Sequence, residues 1–258
     1  MSTIGIIGAG RLGSAFAEAF AKSYKIIVSD PNKENLERFK KIKNIQTTTD
    51  NIELATKSDF VLIAVKPKDF DLVVAPIAKA LENKLLISFA AAVNINRIES
   101  LGIKNVIRVM PNICVSVDEG LLAYSLGKHA STYEKQFLDS FSKIGKCLKM
   151  DEKLIDPITV CSGSGPAFIA YFADAIAEEA KSNGLDYELA MQAVAQTLVG
   201  TGKLLLSGKR AQEIITQVAS PGGVTEEGLK ILDKNQVKEK IKESIRFAMK
   251  KTIEMGKK

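Results

Sequence analysis

The 258-residue chain has no tryptophan, one histidine and three cysteines, and each shortage closes a class of chemistry. Cys114, Cys147 and Cys161 are odd in number and far apart, which gives neither a disulfide framework nor metal-ligand spacing. His129 has no Cys or carboxylate pattern around it, so no metal site is expected and His129 reads as a surface loop residue. No apolar run approaches the roughly twenty residues that cross a bilayer. The N-terminus passes from Met1-Ser2-Thr3 straight into an apolar strand, without the basic segment and cleavage site of a secretory signal. These absences lead to the expectation of a cytoplasmic protein with reduced thiols and no membrane partner.

The formal charge of +6 is spread widely, densest at Lys40, Lys41 and Lys43 and from Lys234 to Lys258. Glutamates interleave the last stretch at helical spacing and aromatics do not, so it reads as a solvated helix face and no nucleic-acid partner is expected. A basic balance does suit small anionic ligands through long-range attraction.

Hydrophobic residues make up 46% of the chain, enough for a large core. Thr3–Ile7, Lys25–Val28, Phe60–Val65, Leu85–Phe89 and Asn105–Val109 are apolar runs separated by segments of helical periodicity, including Ser14–Lys22 and Lys33–Lys40. Strands apolar throughout imply a parallel sheet covered on both faces, hence a doubly wound α/β domain of the Rossmann type. From about Asp156 the pattern predicts helices alone: Pro166–Ser182, Tyr187–Leu206, Ala211–Val218 and Thr225–Met255. The division expected is 1–152 for dinucleotide binding and 153–258 for an all-α domain, with a hinge in Met150–Asp156. Ala167, Phe168, Tyr171, Phe172, Ala175 and Ile176 form a stripe too wide for a free surface helix, so the helical domain is expected to pack on a second copy.

Gly8-Ala9-Gly10-Arg11-Leu12-Gly13 matches G-x-G-x-x-G after a strand and at the start of a helix. The first glycine permits the turn, the second lets backbone approach a pyrophosphate, and the third lets helix pack on sheet. Asp30 ends the second strand near the offset at which a carboxylate accepts from the adenosine ribose, an NAD pattern, while Asn32 and Lys33 beside it leave NADP open. The ends of the next two strands, Ala64-Val65-Lys66-Pro67 and Ala90-Ala91-Ala92, belong to the crevice where such sheets bind ligands. Tight helix–sheet packing explains the alanines equally well.

Two clusters of small residues interrupt the helical half: Ser162-Gly163-Ser164-Gly165-Pro166 and Ser220-Pro221-Gly222-Gly223-Val224-Thr225. Each admits two readings, a helix cap with a tight turn, or backbone N–H groups at a helix start awaiting an anion.

Five motifs in order over nearly the whole chain, the glycine loop, Ala64-Val65-Lys66-Pro67, Arg108-Val109-Met110-Pro111-Asn112, Ser162-Gly163-Ser164-Gly165-Pro166-Ala167 and Ser220-Pro221-Gly222-Gly223-Val224-Thr225, resemble the pyrroline-5-carboxylate reductase family. The resemblance implies hydride transfer from NADPH or NADH to the C=N bond of 1-pyrroline-5-carboxylate, giving L-proline. It also implies a homodimer of interlocked helical domains, assembled further into a ring. By motif position, Asn51, Asp30, Val65, Lys66, Ala90 and Ala91 resemble cofactor contacts, joined by the glycine loop, Ala64, Pro67 and Asn112. Glu152, Ser220, Gly223, Val224 and Thr225 resemble substrate contacts, with Ser162 and Gly165 nearby. Thr225 is the residue expected to hydrogen-bond the ring nitrogen, and for Glu152 a surface charge at a hinge is the competing reading.

The chain departs from the family where Ile113 and Cys114 replace Thr and Pro, removing a hydroxyl near the nicotinamide, and where Ala92 replaces a common glycine. Asp30 stands where NADP-preferring forms carry a smaller or uncharged group. Two other readings remain open at this point. A β-hydroxyacid dehydrogenase or imine reductase shares the architecture, although an alcohol-oxidising site needs a proton acceptor such as lysine and Ser162–Ala173 contains none. A dinucleotide-sensing module without turnover is the other.

Overall fold

A computed structural model describes residues 2–256. The chain packs as two units. One runs from the N-terminus to Pro166 and takes in the chain from Ala248 onward; the other is Ala167–Phe247.

The first unit is built on β1 (Thr3–Ile7), β2 (Lys25–Ser29), β3 (Ile45–Thr48), β4 (Phe60–Ile63), β5 (Leu85–Ser88), β6 (Val106–Met110), β7 (Gly120–Leu126) and β8 (Gly145–Lys149). They form one sheet in the order β3-β2-β1-β4-β5-β6-β7-β8, parallel except where β7 returns antiparallel on β6. The helices between them are α1 (Arg11–Ala21), α2 (Lys33–Glu37), α3 (Asn51–Lys57), α4 (Phe70–Val74), α5 (Ile95–Ser100) and α6 (Glu134–Phe141). Strands β4 and β5 are buried along their whole length because both faces are covered. On one face, Phe16 and Phe20 of α1 meet Phe89, Phe137 and Phe141, with Phe16 and Phe89 rings 4.4 Å apart. On the other, Leu54, Phe70, Val74, Ile77 and Leu81 pack over Val61, Ile63, Leu86 and Val106.

Three strands go beyond the periodicity. β3 is a half-exposed edge strand, Ile-Gln-Thr-Thr, with too little apolar character to stand out. β7 follows a 3-10 turn (Ile113–Val117) that ends in the left-handed Asp118, φ +62°, and this reversal makes the pairing antiparallel. β8 is a half-exposed to exposed edge strand with lysines at both Lys146 and Lys149.

Past β8 come a 3-10 turn (Glu152–Leu154), α7 (Ile155–Ile158) and a π-helical turn (Thr159–Gly163). The helices that follow are α8 (Gly165–Ser182), α9 (Tyr187–Leu206), α10 (Ala211–Val218), α11 (Val224–Lys234) and α12 (Val237–Gly256). The single helix expected over Thr225–Met255 is therefore two. Asn235 closes α11 and Gln236 adopts φ +54°, a left-handed step that no helix continues through.

Apolar side chains of the second unit lie open: Tyr171 is 75% exposed, Ile176 58%, Val199 51% and Leu206 79%. Among the described residues one helix, α9, is long and apolar enough to cross a membrane, with mean hydropathy 1.2. That corrects the expectation that no stretch approaches such a length. Only Glu188 and Lys203 are charged within α9, and its glutamines and threonines do not interrupt it as a charge would.

Candidate functional site

The glycine loop leaves β1 where β1 and β4 lie side by side and the chain crosses over, the place at which open α/β sheets bind ligands. Its three glycines answer to different constraints. Gly8 has φ +104°, and a Cβ there would stand 2.6 Å from the Ala64 carbonyl oxygen. A Cβ on Gly13 would stand 1.9 Å from the Gly8 carbonyl oxygen. At Gly10 a Cβ would meet nothing within 4 Å, and the backbone has an ordinary φ of −69°. Nothing in the protein itself requires glycine at position 10. Gly10 caps α1 with no side-chain hydrogen bond, and no acidic residue lies in the first turn. An uncapped helix start over open space fits a pyrophosphate.

Around the loop, Asp30 is 8% exposed. Its Oδ2 accepts from the Ala9 amide at 2.8 Å, and its Oδ1 accepts from the Asn32 amide and Asn35 Nδ2 at 2.9 and 3.1 Å. Asn51 opens α3 and its Oδ1 accepts from the Ser29 hydroxyl at 2.6 Å. Asn32, Lys33 and Arg11 are exposed and Leu12 is half-buried. Ala64 and Val65 are half-buried after β4, Lys66 is exposed, and Pro67 begins a 3-10 turn. After β5, Ala90 is buried and Ala91 half-buried, while Ala92 holds a left-handed φ of +60°. The residues assigned to a dinucleotide from the sequence thus follow the carboxyl ends of β1, β2, β4 and β5, with Asn51 after β3 and Asn112 after β6.

Asn112 and Ser162 meet directly: Asn112 Nδ2 donates to Ser162 Oγ at 3.1 Å, and Asn112 Oδ1 accepts from the Leu121 amide at 3.2 Å. Ser162 is buried in the π-helical turn, and Gly165 begins α8 with nothing within 4 Å of where a Cβ would stand. Cys114, nearby in sequence, is half-buried, and burial pushes its thiol above the usual range, so it stays protonated.

Glu152 is not a free surface charge. Its Oε1 accepts from the Ile95 amide at 2.7 Å and from Arg108 Nη1 at 3.2 Å. Arg108 is 3% exposed, its Nη2 donates to Asp156 Oδ1 at 2.6 Å, and among the described residues its buried Nε has no partner. Only the guanidinium is buried: the Glu152 and Asp156 side chains stay 28% and 38% exposed, and either one still faces Arg108 if the other is truncated. Arg108 opens one of the motifs quoted above, yet it receives no role of its own from the sequence. The signal was there: a lone arginine in the otherwise apolar Val106–Met110 must find carboxylates once both faces of the strand are covered.

Ser220–Gly223 joins α10 to α11 in the second unit, and Val224 and Thr225 open α11. Gly222 has φ +72°, which the turn reserves for glycine, while a Cβ on Gly223 would crowd the Ser220 carbonyl oxygen at 3.0 Å. Gly223 caps α11 without a side-chain bond, which removes Thr225 from the capping role. Glu226 reaches back to the Gly222 amide at 2.9 Å. The Thr225 side chain is half-buried and makes no hydrogen bond within the described residues, and Val224 is 92% exposed.

Residues 152–255 match the family model described as pyrroline-5-carboxylate reductase dimerisation, and residues 3–92 match the one described as NADP oxidoreductase, coenzyme F420-dependent. A pyrroline-5-carboxylate reductase of Methanosarcina acetivorans is 33% identical, with 99% of this chain and 98% of the relative aligned. Pyrroline-5-carboxylate reductase 3 of Bos taurus is 36% identical over 89% of this chain and 78% of its own. The crystal structure of Plasmodium falciparum pyrroline carboxylate reductase with NADP bound superposes at a TM-score of 0.89, with 31% identity over 99% of this chain and 98% of that one.

Proposed function

The chain belongs to the pyrroline-5-carboxylate reductase family, and on that premise we propose that it reduces the C=N bond of 1-pyrroline-5-carboxylate to give L-proline, the last step of proline biosynthesis. It is an NAD(P)H-dependent oxidoreductase acting on a cyclic imine. The observation that carries the reading for this chain's own residues is Gly10, a glycine at the start of α1 that no neighbour in the described residues requires and that close approach of a pyrophosphate explains.

Bound NAD(P)H supplies the hydride. The amides at the start of α1 hold the pyrophosphate, while Asp30 holds the loop that presents them through Ala9. Asn32 and Lys33, exposed beside Asp30, are the groups available to a 2′-phosphate. Ala64, Val65, Lys66 and Pro67 line one side of the crevice, and Ala90 and Ala91 give a flat ring close access to backbone on the other. Asn112 fixes Ser162 and thereby the turn that leads into α8.

An iminium carbon is electrophilic before the protein acts on it, so the task is alignment rather than strong acid catalysis. The amides around Gly223 and Val224 take the substrate carboxylate, the unpartnered Thr225 hydroxyl bonds the ring nitrogen, and Ser220 shapes the turn. No histidine is required. A hydroxyacid dehydrogenase has no support in this chain, since α8 offers no lysine in Ser162–Ala173.

The open apolar surface of the second unit supports burial against a second copy, which we propose is a homodimer and, beyond it, a ring of dimers. The same pairing accounts for the apolar character of α9 in a cytoplasmic enzyme. The helical domain is proposed to begin at 153, next to the start of the matched dimerisation model at 152. A steady-state assay with racemic pyrroline-5-carboxylate and each cofactor tests the reading; turnover of a hydroxyacid without reduction of the cyclic imine would overturn it.

A further inference from the structure

Three polar residues stand side by side in the middle of the sheet. Ser88 of β5 pairs with Arg108 of β6, which pairs with Ser125 of β7, and these are 0%, 3% and 5% exposed. A buried polar row in a sheet core is costly unless each member has a partner. Each does, and all the partners lie in two segments. Ser88 Oγ accepts from the Ala90 amide at 3.3 Å. Arg108 holds Glu152, which takes the Ile95 amide. Ser125 donates to the Met150 carbonyl. The row therefore grips the Ala90–Ile95 loop at both ends and ties it to Met150–Asp156.

Between those two grips sits Ala92 at φ +60°, in a conformation disfavoured for any residue with a Cβ. A strained residue persists only where its surroundings fix it. Here the surroundings are the Ser88 hydroxyl before it and the Glu152 carboxylate after it. Asn94 adds a local bond, accepting from the Arg97 amide at 2.8 Å.

We propose that the buried row Ser88–Arg108–Ser125, acting through Glu152, is a positioning device that holds the Ala90–Ile95 loop in the shape that receives the nicotinamide, and that Glu152 serves cofactor geometry rather than substrate contact. The inference rests on the reading of Ala90 and Ala91 as cofactor contacts. Glu152 is the residue to test because its side chain is 28% exposed, whereas Arg108 is deeply buried and its variants risk misfolding.

The experiment compares the wild-type full-length protein with Glu152→Ala, Glu152→Gln, Ala92→Gly and the double variant Glu152→Ala/Ala92→Gly. NADPH affinity, KM for pyrroline-5-carboxylate, thermal stability and hydrogen exchange of residues 89–96 are measured for each. Glu152→Ala should weaken NADPH by about tenfold and speed exchange in 89–96, since the competent loop becomes a minor population. Glu152→Gln keeps an acceptor for the Ile95 amide and should fall in between. Because glycine adopts the left-handed region without penalty, Ala92→Gly should recover most of that loss in the double variant.

Unchanged NADPH affinity in Glu152→Ala with a raised substrate KM overturns the proposal and makes Glu152 a substrate contact. Equal losses with and without Ala92→Gly overturn it in favour of general destabilisation. If NADPH does not slow exchange of 89–96 in the wild type, the cofactor reading of this loop fails and the inference falls with it.

Discussion

The amide of Ala9 donates to the Asp30 carboxylate at 2.8 Å, so the acid at the end of β2 shapes the very loop that receives the pyrophosphate. Its other oxygen is taken up by the Asn32 amide and Asn35 Nδ2. A carboxylate has about four lone-pair sites, and three are already used within the protein. Asp30→Ser should therefore raise KM for NADH and NADPH together, by about tenfold, through loss of a charge-assisted bond within the loop. A swing in preference toward NADPH with little change in loop stability would instead show that the carboxylate contacts the ribose.

Gly10 and Gly13 separate binding from folding. Gly10→Ala meets open space and should leave stability within about 0.5 kcal/mol while weakening NADPH by about tenfold or more. Gly13→Ala drives a methyl into the Gly8 carbonyl and should cost about 1–3 kcal/mol of stability. Thermal melts and cofactor titrations of the two variants settle it; equal effects on both readouts would refute the division.

That division shows what was legible in the sequence and what was not. A glycine motif is local: strand, turn and helix start lie within a dozen residues, and each glycine answers to a neighbour. The apolar runs of β1, β4 and β5 are legible for the same reason, since burial on both faces leaves few polar positions. Edge strands β3 and β8 gave no such pattern, and the Gln236 break lies at a residue type with no strong turn preference. The partners of Arg108 are 44 and 48 residues away, a separation that only the folded sheet closes.

Thr225 occupies the first turn of α11 with a hydroxyl that makes no hydrogen bond within the described residues. Thr225→Ala should lower kcat and raise KM for pyrroline-5-carboxylate while leaving NADPH affinity nearly unchanged. The loss expected is about 1–3 kcal/mol in transition-state stabilisation, the range for a hydrogen bond to a charged group. Unaltered kinetics would remove Thr225 from the reaction.

Val199 lies on α9 at 51% exposure among other open apolar side chains. Val199→Glu places a charge in the surface proposed to pair with a second copy and should weaken self-association by about tenfold or more. Light scattering over a concentration series reads this directly. A wild type that is monomeric at all concentrations, or a variant that associates as before, would contradict the pairing.

Catalytic reduction of the cyclic imine is the reaction to be tested. Its most direct test is to incubate the full-length protein with racemic pyrroline-5-carboxylate and NADPH or NADH, following cofactor oxidation and the chirality of the product. Saturable turnover is expected, with one L-proline formed per reduced cofactor consumed. Tight cofactor binding with no proline formed at saturating concentrations of either cofactor would contradict it.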